Sequence, residues 1–370
     1  MGVEPIRSGA LVSIDLARAF AALSVFVYHY GIGAVIARET GWPGAGLLAW
    51  PGANIAVPLF FVLSGYCIHQ SEKRRLKDSG TFSTAAYARR RFWRIYPVYA
   101  AALLLSVAIN LAHGKKDPAW DIAVHALMLQ SFSAHSFNSI NLVLWTIAVE
   151  CCLYAIYPFW LKLRLSRGLG TAIAVAVAVT LMSWTITALF CYPYGDAERL
   201  FFTNVWCGWI AGAAFSEAME ARPAWFRSLF WWAMGAMLWI ATIAWRPDSA
   251  SWGKLQVLDA PLLMILSVWL LCGLVIAERG IRRIAGAARW IIAALALIGA
   301  ASYSLYLLHI PLIELRNLIQ TVFQPGPWRL GFQGLWFFIA LWLCWLSYRY
   351  VERPFMALGS RQAAPRRKPA

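Results

Sequence analysis

The chain has 370 residues, of which 61% are hydrophobic and 14% charged, with 21 Trp and a formal net charge of +16. Soluble domains carry about 45–50% apolar and about 25% charged residues, so this composition excludes a soluble globular enzyme and predicts an all-α polytopic membrane helix bundle. The basic excess does not require nucleic acid, because positive loops beside anionic lipid produce the same balance, and no nucleic-acid partner is expected.

Apolar stretches of about 17–25 residues, the length that spans a bilayer, fall near 11–36, 52–70, 95–112, 140–161, 169–190, 200–216, 226–245, 257–277, 300–322 and 332–351. They predict about ten transmembrane helices. The first is too long and too charged for a cleaved leader and lacks an A-x-A site, so it is expected to remain as a span. Most of the 33 Lys and Arg fall at the termini and in every second loop, which puts both termini in the cytoplasm. No internal repeat or composition shift divides the chain. One membrane domain is expected over 1–355, followed by a basic, proline-containing tail over 356–370, disordered and held near the headgroups by charge.

Ionisable residues inside apolar spans are costly and mark functional sites. The first span holds Asp15, Arg18 and His29. At about 100° per residue, Arg18 and His29 share one helix face, about 16 Å apart along the axis. A guanidinium can anchor an anionic group and a neutral imidazole can move a proton. Asp15, at i,i+3, can instead neutralise Arg18 locally. The second span, VPLFFVLSGYCIH, sets Ser64 beside Gly65 without a G-x-S-x-G elbow, so no serine acyl-enzyme is expected.

At the inner end of the third span, ARRRFWRIYP presents Arg90, Arg91 and Arg94. Arg91 and Arg94 are one turn apart and suit phosphate, although the same residues serve as positive-inside anchors with Trp93 and Tyr96 as an interface belt. The following outward segment carries His113, His125 and His135, and its DIAVHALMLQSF is too short to span. In the fourth span, Glu150 lies in the outer half and shares a face with Thr146 at i,i+4. It can bond the imidazole, hold a sugar hydroxyl or pair with an arginine. The ninth span places Ser302, Tyr306, His309 and Arg316 on one stripe, which serves either as interhelical glue or as a second imidazole in the site. His29 and His309 lack partners at ligand spacing, so no metal is expected; the seven Cys show no C-x-x-C pattern and read as small buried hydrophobes.

The blocks SIDLARAFAALSVFVYHY, VPLFFVLSGYCIH, RRRFWRIYPVY, LWTIAVECCLYAIYP, SYSLYLLHIP and YVERPF run in that order from residue 13 to 355. Together they resemble the acyltransferase 3 family of integral membrane O-acyltransferases, most of all its short exopolysaccharide and lipopolysaccharide O-acetyltransferases. The resemblance implies transfer of an acyl group, commonly acetyl, from cytoplasmic acyl-CoA to a carbohydrate hydroxyl, at a bacterial cytoplasmic (inner) membrane. The family's arginine and histidine with ten residues between them fall on Arg18 and His29, and its arginine pair on Arg91 and Arg94. Its helix-4 tryptophan and glutamate fall on Trp145 and Glu150, its S-Y-S-L-Y-L-x-H block on Tyr303 to His309, and its E-R-P-F on Glu352 to Phe355.

With these matches, His29 is expected as general base, oriented by Glu150 or another acidic group, and acyl-CoA is expected to be held by Arg18, Arg91 and Arg94, with Arg90 of the same basic run beside them. Asp15, Ser64, Trp145, Tyr303, Tyr306, His309, Arg316 and Glu352 would support the substrate or the site. No permanently bound cofactor is implied: acyl-CoA is the donor substrate, the acceptor is an exopolysaccharide, lipopolysaccharide or lipid-linked sugar, and the remaining partner is membrane lipid. Two departures stand out. I-D-L-A-R-A replaces the common L-D-G-L-R-G, losing both glycines of helix 1, and helix 9 lacks the tryptophan often found beside its histidine. A transporter or flippase for a glycan or lipid-linked sugar is the alternative that intramembrane charges also fit, though no two-fold repeat accompanies them.

Overall fold

The computed structural model describes residues 11–191, 193, 195–221, 233, 235–237, 259–323 and 328–362. The expected span 226–245 lies almost wholly outside the described residues, and residues 363–370 of the tail lie entirely outside them. Among the described residues the chain is helical and contains no strand.

In chain order the helices are α1 (Val12–His29), α2 (Ile32–Thr40), α3 (Trp50–Asn54), α4 (Ala56–Ser79), α5 (Thr84–Ala112), α6 (Ala119–Ala126), α7 (Trp145–Arg167), α8 (Leu169–Phe190) and α9 (Asp196–Arg199). They continue with α10 (Phe202–Ala221), α11 (Asp259–Arg283), α12 (Ala287–Ala300), α13 (Ser302–Phe323), α14 (Arg329–Ser347) and α15 (Arg353–Gln362), and a π-helical turn, Tyr348–Glu352, joins the last two. Among the described residues six stretches are long and apolar enough to cross a membrane: α1, α5, α7, α8, Leu262–Arg283 of α11, and Leu330–Ser360 running from α14 into α15. Taken together as one broken span, α12 and α13 make a seventh. The expected spans 52–70 and 200–216 are the helices α4 and α10, which fall outside this set; α4 runs on into the charged SEKRRLKDS.

The first span is shorter than the expected 11–36. Gly31, at φ +66°, turns the chain after His29, and α2 restarts at Ile32. A side chain at that position would strain the left-handed backbone. His29 thus stands in the last turn of α1, at the far end of the helix from Asp15 and Arg18.

The chain forms two compact units, Met1–Gly80 with Ala155–Ala300, and Thr81–Tyr154 with Ala301–Ala370. In the first, α1 packs against α4, α11 and α12, and α4 against α10, around Phe26, Ile55, Leu59, Trp209 and Ile210. Gly299 of α12 sits directly on the Asp15 carbonyl, where an added Cβ would come within 1.8 Å of the oxygen. α1 has no glycine of its own, and its close approach to α12 is made at this glycine of its neighbour.

In the second unit, α5 packs against α13 and α15. The Trp93 ring stacks on Phe355 at 5.4 Å, and Gly359 leaves room for the same Trp93. That contact explains why residues 356–362, expected to belong to a disordered tail, are helical: an aromatic surface is buried there.

Candidate active site

In the first unit, the N-terminus of α1 is held by a carboxylate from another helix. Glu278 of α11 accepts the backbone N–H groups of Val12 (3.0 Å) and Ser13 (2.7 Å), and Arg282 in turn binds Glu278 at 2.5 Å. Leu11, the residue at the cap position, has no side-chain acceptor, so Glu278 satisfies donors that would otherwise be left buried. One turn later Arg18 pairs with Asp15 at 3.4 Å and donates to the Cys67 sulfur of α4 at 3.1 Å. The local ion pair foreseen from the i,i+3 spacing is present, and it shares the guanidinium with a thiol.

At the other end of α1, His29 Nδ1 lies 3.1 Å from the Val25 carbonyl. A carbonyl can only accept, so Nδ1 carries the proton and Nε2 the basic lone pair. The Tyr28 ring meets the imidazole edge-on at 4.8 Å. Ser64, on α4, accepts the Trp209 indole N–H at 3.2 Å, which makes it a packing contact between α4 and α10.

A second polar cluster in this unit escaped the sequence reading. His69 is buried at the polar end of α4's apolar stretch, with Nδ1 3.1 Å from the Tyr157 hydroxyl and Nε2 2.8 Å from Glu217. Arg164 also binds Glu217, at 2.7 and 2.9 Å, and Lys73 donates to the adjoining Ser216 carbonyl. Glu217 lies beyond the apolar run of α10, and the His69 hydrogen bond, with the His69, Arg164 and Lys73 charges, holds its carboxyl down to about 2. The cluster ties α4, α7 and α10 together at one end.

In the second unit, Arg94 extends from α5 to Glu352 (3.7 Å) and to the Met356 sulfur (2.9 Å). Arg91 lies over the Tyr87 ring at 5.6 Å, and Arg90 is half-buried beside it in sequence. Glu352 is fully buried and accepts the Ser304 hydroxyl at 2.7 Å and backbone N–H at 3.3 Å. Glu150, half-buried on α7, accepts the Tyr154 hydroxyl one turn on. Trp145 stacks on Phe137 at 5.1 Å, and Tyr303 donates to the Ile95 carbonyl at 2.8 Å.

On α13, Tyr306 hydrogen-bonds the Thr146 side chain, and the Tyr306 carbonyl receives His309 Nδ1 at 2.6 Å. His309 is therefore a second imidazole whose basic nitrogen is Nε2. Ser302, Tyr306 and His309 are buried, as their stripe implies, whereas Arg316 is partly exposed and bonds Asn317 at 3.1 Å. Among the described residues no group of three His, Cys, Asp or Glu is placed to hold a metal ion.

The acyltransferase domain of the acyltransferase 3 family matches residues 11–349. The chain belongs to that family. Peptidoglycan O-acetyltransferase OatA of Listeria monocytogenes is 25% identical over 94% of this chain and 56% of its own length. Acyltransferase MdmB of Streptomyces mycarofaciens is 32% identical over 43% of this chain and 41% of its own. The chain thus spans about half the length of the curated relatives it matches. No solved structure matches it.

This family member is an integral membrane protein, and its polar groups fall into two sets. The first unit brings Asp15 and Arg18 together and sets His29 three turns further along the same helix, while Ser64 is engaged elsewhere. The second unit joins Arg94 to Glu352, and Tyr306 to His309 and Thr146. Cys67, expected as a small buried hydrophobe, is instead half-buried against Arg18, and Cys191 is exposed at the end of α8. Nothing in the sequence marks Cys67, since its role depends on which helix α1 meets. His69 carried a usable signal: a histidine closing an apolar run, which is costly without a partner.

Proposed function

We propose that this family member is a membrane O-acyltransferase that moves an acetyl group from acetyl-CoA to a hydroxyl of a cell-envelope carbohydrate. The observation that supports this most is on α1: within the family match, one helix carries a guanidinium and an imidazole whose Nδ1 is tied to Val25, so that Nε2 is the base. The acceptor class follows from OatA, whose name assigns it peptidoglycan.

In the proposed reaction His29 Nε2 takes the proton of the acceptor hydroxyl as its oxygen attacks the thioester carbonyl. The carbon–sulfur bond breaks, the CoA sulfur leaves and is protonated, and the acyl group remains on the acceptor as an ester. Hydrogen-bond donors aimed at the developing oxyanion lower the barrier. Arg90, Arg91 and Arg94 grip the CoA phosphates, and Arg18 steadies the thioester end of the donor. Glu150, which already accepts the Tyr154 hydroxyl, is assigned a supporting role in the catalytic step, and Tyr306 and His309 a supporting role toward the substrate.

Purified protein in nanodiscs, given acetyl-CoA and glycan fragments, should form O-acetyl esters detectable by mass spectrometry. Arg91→Ala combined with Arg94→Ala should raise KM for acetyl-CoA more than KM for the glycan. The reverse pattern would make these arginines topological anchors, and absence of ester from folded wild-type protein would reject acyl transfer.

A further inference from the structure

We infer that Glu352 is a positioning residue for the donor: it orients Arg94 toward the CoA phosphates and ties that arginine to the first turn of α13. This rests on the reading of Arg94 as a donor-binding residue. Three observations carry it, all within the second unit.

The first is burial. Glu352 has no solvent exposure, and a buried carboxylate is tolerated only with compensating partners. It has the Ser304 hydroxyl at 2.7 Å, the Ser304 N–H at 3.3 Å and Arg94 at 3.7 Å. Ser304 stands in the first turn of α13, whose free N–H groups favour an anion. Ser347 adds a bond to the Ser304 hydroxyl at 3.4 Å.

The second is backbone geometry. The π-helical turn Tyr348–Glu352 inserts a wider turn between α14 and α15, and it leaves Tyr350 69% exposed while Glu352 is enclosed. Such turns re-aim the side chains that follow them and recur at functional sites.

The third is the contact surface on α5. Trp93 is stacked on Phe355 and covered at Gly359, and its neighbour Arg94 meets Glu352 and Met356. Arginine loses several rotatable bonds when it is fixed on a ligand. A carboxylate and a thioether that hold it beforehand remove part of that loss, which is the benefit of preorganisation. Because Ser304 lies two residues before Tyr306 and five before His309, the same carboxylate links the donor arginine to the helix that carries the second imidazole.

The test measures binding of CoA and of pantetheine, which lacks the nucleotide phosphates, to wild type, Glu352→Gln and Glu352→Asp in nanodiscs, followed by KM and kcat with acetyl-CoA. Gln keeps an acceptor for Ser304 but removes the charge that faces Arg94. Glu352→Gln should weaken CoA binding roughly tenfold, the scale of one misaligned charge-assisted bond. It should leave pantetheine binding and kcat near wild type, with Glu352→Asp intermediate. Equal loss for CoA and pantetheine, accompanied by a fall in kcat, would make Glu352 merely structural and overturn the inference. Unchanged or tighter CoA binding would overturn it as well. Wild type that binds CoA no better than pantetheine would instead remove the phosphate-gripping role of Arg94, and with it the ground on which this inference stands.

Discussion

The Val25 carbonyl sets which ring nitrogen of His29 carries the proton. Without the Val25 contact the imidazole could present either tautomer; with it, Nε2 is the nitrogen that can take a proton. His29→Ala should therefore lower acetyl transfer by about 10²–10⁴-fold, the usual share of a general base, with the melting temperature close to wild type. His125 supplies a pH prediction away from the membrane spans. It is buried on α6, its Nε2 has no hydrogen-bond partner among the described residues, and burial pushes the imidazole below its ordinary 6.5 against the opposing pull of the Asp121 carbonyl. A histidine held neutral contributes stability that is present above about pH 6.5 and is lost as pH falls below it, because the unfolded chain binds the proton first. Thermal stability of wild type should fall between pH 7 and 5, and His125→Gln should flatten that slope. An unchanged slope would mean that His125 does not govern it. Arg18, His29 and Glu150 were legible in the sequence because a charge in an apolar run is conspicuous whatever surrounds it. Cys67, Glu217 and Tyr157 were not, since each gains its meaning from a partner 49 to 148 positions away.

At the level of elements, periodicity and hydropathy located most of the long helices but not their joints. The first span ends at His29, just before the turn at Gly31, and the reason is a backbone angle that hydropathy does not register. Helix α12 was missed because its apolar residues run into ASYSLYLL without a polar gap, so the break between Ala300 and Ser302 left no compositional trace. Yet α12 forms the close contact on α1. Gly299→Ala would drive a methyl group into the Asp15 carbonyl, and repacking of this kind costs about 1–3 kcal/mol, more than the gain in helix propensity. The expected result is a lower melting temperature together with weakened donor use, since Asp15 is the partner of Arg18. Stability at or above wild type would show that the two helices can separate freely. Glu278→Ala should cost about 1–2 kcal/mol by uncapping α1, measurable by the same thermal shift.

For the molecule as a whole, composition led directly to the membrane, and the ordered motifs led to the family that residues 11–349 match. The expected ten spans are represented by six helical stretches of sufficient length and apolarity among the described residues, or seven with the broken pair. Their orientation in the bilayer rests on the Lys and Arg pattern, so a fluorescent protein fused to the C-terminus should fold and fluoresce in the cytoplasm. The central claim is acyl transfer with His29 as base. Its most direct test is release of free thiol from acetyl-CoA by purified protein in nanodiscs, with and without peptidoglycan glycan strands, beside His29→Ala. The account predicts thiol release that requires both the glycan and His29 and that matches the ester formed. No release from folded protein, or release undiminished in His29→Ala, would contradict it.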